Sequence, residues 1–132
     1  MLDVRNLEVA FGNTPVIRDV SFRLEGHDIL VLVGPTGCGK TTLLRSIAGL
    51  VKPSAGEIQL GRKRITPKNN VPPEKRRVGM VFQDFALFPH LTVMQNVSFR
   101  LKDHRLALEW LDRLGLMSLR DAMPERLSGG QK

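Results

Sequence analysis

Cysteine and the large aromatic residues are scarce in this sequence. Its 132 residues include one cysteine, one tryptophan and no tyrosine. The single cysteine, Cys38, excludes an internal disulfide framework and fits a reducing compartment. Hydrophobic runs are also short: the longest covers residues 29–33, far below the ~20 residues that a membrane-spanning helix needs. The N-terminus lacks the apolar core of a signal peptide. We therefore expect a cytoplasmic protein that does not cross a membrane by itself.

Negative charge is in short supply, and the excess positive charge is concentrated in one stretch. The formal net charge is +7, and residues 61–77 hold seven Lys or Arg side chains against the single acid Glu74. Such a stretch can bind the phosphates of nucleic acid. Prolines interrupt it, however, and it has no aromatic residue on which a base could stack. We therefore favour a solvated connecting loop and do not expect a nucleic-acid partner, although that alternative stays open.

Hydrophobic patterning predicts four strands or strand candidates. Apolar residues alternate along residues 16–24, as in a strand with one buried face. The side chains on that face are Val16, Val20, Phe22 and Leu24. Residues 29–33 are apolar at every position, which is typical of a strand covered on both sides in a parallel sheet. Residues 57–60 and 78–82 are the other candidates.

Helical periodicity predicts three helices. The first follows a glycine-rich segment, carries Leu43, Leu44, Ile47 and Ala48, and stops near Gly49. The second begins with Thr92 and Gln95, which match a capping box. Along it, apolar residues recur four apart, at Val93, Val97 and Leu101.

The third predicted helix is amphipathic and ends at Gly115. Its apolar stripe consists of Ala107, Trp110, Leu111 and Leu114. Trp110 is expected in the core because it lies on this stripe. Glu109 is placed four residues before Arg113, a spacing that favours an ion pair.

The glycine-rich segment fits the phosphate-binding loop pattern G-x-x-x-x-G-K-[ST] in full. It reads Gly34, Pro35, Thr36, Gly37, Cys38, Gly39, Lys40 and Thr41, and Thr42 follows. A predicted strand precedes it and a predicted helix follows, which is the context that this loop requires. The backbone N–H groups and the positive end of the helix would surround a phosphate. Lys40 would bridge the β- and γ-phosphates of ATP, and the Thr41 hydroxyl would ligate Mg²⁺.

A second motif near the C-terminal end narrows the function. Residues 127–131 read Leu-Ser-Gly-Gly-Gln, and together with the phosphate loop they resemble the signature of ATP-binding cassette (ABC) proteins. The segments 72–83 and 88–93 are similar to the ATPase subunits of bacterial importers for polyamines, ferric iron, sulfate and related small solutes. The resemblance extends from Leu2 to Lys132.

The resemblance implies roles for residues outside the phosphate loop. Phe11 falls where the family stacks an aromatic ring on adenine, a position where tyrosine is usual. Gln83 resembles the Q-loop glutamine, which reaches the metal or the attacking water. The signature residues would contact the γ-phosphate of ATP held by a second copy, in a head-to-tail dimer; they are Ser128, Gly129, Gly130 and Gln131. Residues 85–91, from Phe85 to Leu91, would contact the transmembrane permease subunits and hold the protein at the inner face of the membrane.

The resemblance also implies a fold, and the sequence departs from the family pattern in one respect. We expect an α/β fold with a P-loop NTPase (RecA-like) core and an antiparallel β subdomain in residues 1–83. Residues 84–132 would form the Q-loop and the start of an α-helical subdomain, truncated after the signature. No run of four apolar residues is followed by an acidic pair, so the Walker B aspartate, the catalytic glutamate and the switch histidine are missing.

Three functions remain open at this point. The first is the energy-coupling ATPase subunit of an ABC importer that moves a small solute. The second is an inactive nucleotide-binding fragment. In the family, the carboxylates that are missing here hold Mg²⁺ and activate the attacking water. The third is a non-transport ABC ATPase that acts on nucleic acid. The residues next to the predicted strand 29–33 would come from a later part of the family's chain, so we expect its edges to be unpaired.

Overall fold

The computed structural model describes residues 1–83 and 86–132, which form two compact units. The first unit is Met1–Met80 and the second is Val81–Lys132. Within the described residues, no helix is long and apolar enough to span a lipid bilayer.

The first unit is built on a four-stranded antiparallel sheet. The strands are β1 (Leu2–Phe11), β2 (Thr14–Leu24), β3 (Ala55–Leu60) and β4 (Lys63–Ile65), in the spatial order β2-β1-β3-β4. In the central strand, Val4 lies opposite Phe22 on one side and Ile58 on the other. The side chains of Val4 and Ile58 are buried, so this part of the sheet lines the core.

Bulges in β1 and β2 change which residues face the core. Asn6 in β1 and Asp19 in β2 both have positive φ, 45° and 49°. The register of the two strands shifts between Val4 and Leu7, where β1 has the extra residue, and again between Leu7 and Val9, where β2 has it. Because one residue is inserted, the buried parity of a strand reverses beyond the bulge. Ile17 is therefore buried, whereas Val16 is only half-buried. The prediction that Val16 shares a face with Val20 was wrong for this reason.

The helix α1 (Lys40–Ala48) forms where the periodicity predicted it and packs on the sheet, although Leu44 of the predicted apolar set is 47% exposed. Its residues Leu43 and Ile47 are buried in the same core as Val4 and Ile58. The helix ends at Gly49, which has φ 93° and donates its N–H to the carbonyls of Arg45 and Ser46. A left-handed glycine that satisfies the last carbonyls is a common helix terminator.

The second unit consists of short helices around a small core. They are α3 (Val93–Val97), α4 (His104–Arg113) and the 3₁₀ helices Met117–Leu119 and Pro124–Arg126; α2 (Pro73–Arg76) belongs to the first unit. Val93, Leu111 and Leu127 form the core of the second unit. Its predicted capping box is present: Gln95 N–H donates to the Thr92 hydroxyl, and Thr92 N–H donates to the Gln95 side chain.

Two predicted strands do not form. Residues 29–33 and 78–82 have no strand structure, and Ile29 and Val33 are 90% and 89% exposed. A strand needs a neighbour with which it exchanges backbone hydrogen bonds, and the described strands are all paired within the antiparallel sheet. Of residues 29–33, Leu32 alone packs against the core.

Two helices of the second unit also differ from the prediction. The helix α3 ends at Val97, so Leu101 lies outside it. Trp110 is 48% exposed rather than buried in the core, and the guanidinium of Arg113 lies over its ring at 5.6 Å. Within the described part of the chain, Arg113 therefore stacks on Trp110 and forms no ion pair with Glu109.

Candidate nucleotide-binding site

The glycine-rich loop takes backbone conformations that two of its glycines make accessible. Gly37 and Gly39 have φ of 83° and 96°, where residues with a side chain are strained. A Cβ on Gly39 would lie 2.6 Å from Cδ1 of Ile17. Gly39 therefore allows both the turn into α1 and the close approach of β2 to the loop.

The backbone N–H groups that open α1 are available to a ligand. The amides of Lys40, Thr41 and Thr42 have no hydrogen-bond acceptor among the residues that the structure describes. The first turn of α1 carries no acidic side chain, so nothing offsets the positive end of the helix dipole. Unpaired N–H groups and a positive dipole together form an anion-binding position.

Lys40 lies inside the loop and contacts its main chain. Its ammonium donates hydrogen bonds to the carbonyl oxygens of Gly34 and Pro35, each at 2.7 Å. It also lies 3.5 Å from Sγ of Cys38. The side chain is thus held against the main chain of the loop.

The opposite end of α1 is held by Arg76, a residue that the sequence analysis placed in a solvated loop. Arg76 is 3% exposed. Its guanidinium donates to the carbonyls of Ser46 (2.6 Å) and Ile47 (2.9 Å), at the end of α1. It also donates to the carbonyl of Val71 and to the side-chain oxygen of Asn70. Burial lowers the pKa of Arg76, and the charge is offset by helix carbonyls.

The basic residues of the stretch 61–77 lie in different environments. The guanidinium of Arg64 pairs with Glu57 at 2.6 Å, and Arg76 is buried against α1. Residues 63–65 form β4 and residues 73–76 form α2. The interpretation as a solvated connecting loop was therefore wrong for Arg76 and for the regular structure in β4 and α2, while the other six Lys and Arg side chains are exposed as expected.

The other predicted site residues lie at the surface of their own units. Phe11 ends β1 and is 56% exposed, and Gln83 is exposed in the second unit. Ser128 and Gln131 are the ends of a tight turn: Ser128 N–H donates to the side chain of Gln131, and Gln131 N–H donates to the carbonyl of Ser128. Gly129 and Gly130, between them, are exposed.

The segment expected to contact permease subunits is described only from residue 86 onward. Phe85 lies outside the described residues. Phe88 stacks on Phe99 with ring centroids 4.4 Å apart, and it meets the ring of His90 edge-on at 6.0 Å. Because Phe88 and Phe99 remain 37% and 50% exposed, this pair presents an aromatic surface to solvent.

Comparison with known proteins identifies the family. The sequence model of the ABC transporter family matches residues 17–132. The chain belongs to the ABC transporter family.

Three curated relatives are import ATP-binding proteins. The Fe(3+) ions import protein FbpC of Fusobacterium nucleatum is 41% identical over 99% of this chain and 37% of its own length. The trehalose/maltose import protein MalK of Thermococcus litoralis is 40% identical, over 100% and 39%. The xylose/arabinose import protein XacJ of Haloferax volcanii is 40% identical, over 99% and 36%. The chain thus spans less than half the length of these relatives.

Two solved structures of the cassette MJ0796 share the fold. One is a dimeric post-hydrolysis state bound to ADP and Pi, with a TM-score of 0.80 and 27% identity. The other is a dimeric bacterial ABC transporter cassette, with a TM-score of 0.81 and 27% identity. Each match covers 99% of this chain and 65% of the solved chain. The α/β fold of an ABC cassette is therefore confirmed.

Magnesium, which the family implies, fits the oxygen donor present at the loop. Thr41 lies in the first turn of α1 and is exposed, so its hydroxyl is accessible. The described residues contain no group of three or more His, Cys, Asp or Glu side chains that could hold a metal ion. Magnesium keeps several waters and is usually bound through substrate phosphates with one or two protein oxygens. One hydroxyl beside a phosphate position is consistent with that requirement.

Proposed function

We propose that this chain binds ATP with Mg²⁺ and forms part of the energy-coupling subunit of an ABC importer for a small solute. The observation that carries the proposal is the loop itself. The loop carries three free amides at the positive end of α1 and the Lys40 ammonium, and these groups support binding of a triphosphate. Lys40 would contact the β- and γ-phosphates, and Thr41 would provide an oxygen to Mg²⁺. The ion would supply charge neutralisation to the phosphates.

The remaining roles are proposed from the family. Phe11 would stack on adenine, and its exposed ring is accessible for this. Gln83 would act at the metal or the attacking water, and Ser128, Gly129 and Gly130 would contact ATP on a second copy. The dimeric state of the two MJ0796 structures supports dimerisation, and the head-to-tail arrangement is proposed from the family. The importer names of the relatives support permease partners. We propose that residues 85–91 contact them, which would hold the chain at the inner face of the membrane.

Calorimetry with Mg-ATP tests nucleotide binding. The 132-residue chain should bind, and Lys40→Ala should lower the affinity at least tenfold, because a charge-assisted contact to phosphate contributes about 1.5–3 kcal/mol. Lys52→Ala is the matched control: Lys52 is exposed and lies outside the loop, so its affinity should stay at the parent value. Equal affinities for the parent and Lys40→Ala would overturn the proposal.

A nucleotide-binding role without hydrolysis is proposed for the 132-residue chain by itself. The sequence contains no acidic pair after an apolar run, and general-base assistance alone is worth typically 10²–10⁴-fold in rate. We therefore expect phosphate release from Mg-ATP at the background rate. Mg²⁺-dependent turnover that disappears in Lys40→Ala would contradict this expectation.

The nucleic-acid alternative loses support from the placement of the basic residues. Arg64 is engaged with Glu57, and Arg76 is buried with its donors directed to backbone carbonyls and Asn70. Arg76 is therefore not available to a phosphate backbone, and Arg64 already has a carboxylate partner. A titration with labelled DNA or RNA at two salt concentrations should show no binding that weakens steeply with salt.

A further inference from the structure

A buried cation connects two separate segments of the first unit. The guanidinium of Arg76 donates to Ser46 and Ile47 at the C-terminal end of α1, thirty and twenty-nine residues earlier in the chain. The same group donates to Val71 and Asn70. It has no carboxylate partner among the described residues. The carbonyl groups at the C-terminal end of α1 therefore offset the positive charge of Arg76.

The contact is close enough that the turn after α1 must be glycine. A Cβ on Gly49 would lie 2.6 Å from Nε of Arg76 and 3.0 Å from its Cζ. Gly49 also has φ 93°, which a side chain would strain. The end of the helix is thus shaped around the guanidinium.

We propose that Arg76 is a positioning residue that transmits phosphate binding at the start of α1 to residues 70–77. This inference rests on the proposed nucleotide binding. The phosphate position and the Arg76 contacts are at opposite ends of one nine-residue helix, about 13 Å long at 1.5 Å per residue. A ligand that stabilises the N-terminal end of α1 therefore also stabilises the Arg76 contacts at its C-terminal end.

The physical basis is that α1 and residues 70–77 open together. Separating them breaks the hydrogen bonds that the charged guanidinium donates to the carbonyls of Ser46 and Ile47, and these bonds stabilise the closed arrangement. Local opening is therefore a shared event. A ligand that binds only the closed form reduces opening by the factor 1 + [L]/Kd, about tenfold at a ligand concentration ten times Kd. Residues 74–77 receive this protection through Arg76.

Hydrogen exchange measured by mass spectrometry tests the proposal on the 132-residue chain, with and without Mg-ADP at about ten times Kd. In the parent, Mg-ADP should slow exchange in the loop and α1, and slow it by up to about tenfold in residues 74–77. In Arg76→Met, the loop should keep its protection, while the Mg-ADP effect on residues 74–77 should fall below twofold. A merely structural role would speed exchange equally with and without nucleotide and leave that effect unchanged.

Two further variants keep the test decisive. Arg76→Lys retains the charge but cannot reach all four acceptors, so the Mg-ADP effect should be intermediate; it carries the test if Arg76→Met fails to fold. Arg77→Met is the matched control, because Arg77 is exposed, and it should behave as the parent. Full Mg-ADP protection of residues 74–77 in either Arg76 variant overturns the inference. Protection of the loop without protection of residues 74–77 in the parent also overturns it. An absence of protection at the loop itself overturns the proposed nucleotide binding as well.

Discussion

At the scale of single residues, glycines at three contacts determine how closely segments of the first unit approach. Gly39 approaches β2, Gly49 approaches Arg76, and Gly56 approaches the main chain of β1. The last contact is the tightest: a Cβ on Gly56 would lie 2.1 Å from the carbonyl oxygen of Asn6. Since this neighbour is backbone inside a sheet, it cannot move aside as a flexible side chain would.

Replacing Gly56 by alanine should therefore destabilise the chain strongly. Its φ is 79° and the new methyl group meets backbone atoms, so we expect a loss of about 3 kcal/mol or more in the free energy of unfolding. Urea denaturation followed by circular dichroism measures it.

Gly61→Ala is the control for Gly56→Ala. Gly61 also has positive φ, 55°, but nothing lies within 4 Å of its Cβ position. This variant should lose only about 1 kcal/mol, the cost of the backbone conformation. If both variants lose the same amount, the close approach of β1 contributes nothing.

At the scale of elements, helix ends were predicted from the sequence more successfully than strands. The start of α1 at Lys40, its end at Gly49 and the capping box at Thr92 each depend on a few neighbouring residues. Strands at 29–33 and 78–82 were predicted from their apolar composition, yet a strand forms only when a partner strand is beside it. The bulges at Asn6 and Asp19 were not predicted either, so the buried side chain of Ile17 was missed.

For the candidate site as well, local features were predicted from the sequence and long-range contacts were not. The loop pattern alone located the free amides and Lys40, because a local glycine pattern specifies a local turn. Arg76 could not be located, since its acceptors lie about thirty residues away and nothing in a run of basic residues marks one of them as buried. A contact of that kind is visible only in the folded chain.

The capping box gives a prediction for α3. This helix has five residues, so its cap is a large part of its local stabilisation. Thr92→Ala removes the acceptor for Gln95 N–H and should cost about 1 kcal/mol, seen as faster hydrogen exchange in residues 93–98. Gln95→Glu keeps both hydrogen bonds of the box and should exchange as the parent does. Equal exchange in Thr92→Ala and the parent would show that the cap is not stabilising.

At the scale of the whole molecule, residues 29–33 leave a large apolar surface. Val31 is 73% exposed, and Ile29 and Val33 are more exposed still. Their backbone groups are unpaired within the described residues, and exposed apolar segments of high β-propensity pair readily with another chain. The chain should therefore self-associate through this segment.

A double substitution tests this source of association. Val31→Lys with Val33→Lys should raise the soluble concentration severalfold and lower light scattering, because two charges oppose pairing of the segment. Leu106→Lys is the control, since Leu106 is 46% exposed on α4 and should have little effect. Association unchanged by the double substitution would place the contact elsewhere.

The position of Lys40 has a consequence for how nucleotide affinities are interpreted. Its ammonium donates hydrogen bonds to two carbonyl oxygens of the loop, so the lysine stabilises the conformation of the loop itself. Incoming phosphate must draw that charge away from the main chain. Substituting Lys40 thus removes two hydrogen bonds of the loop as well as the phosphate contact, and the measured loss of affinity is the difference between these two effects.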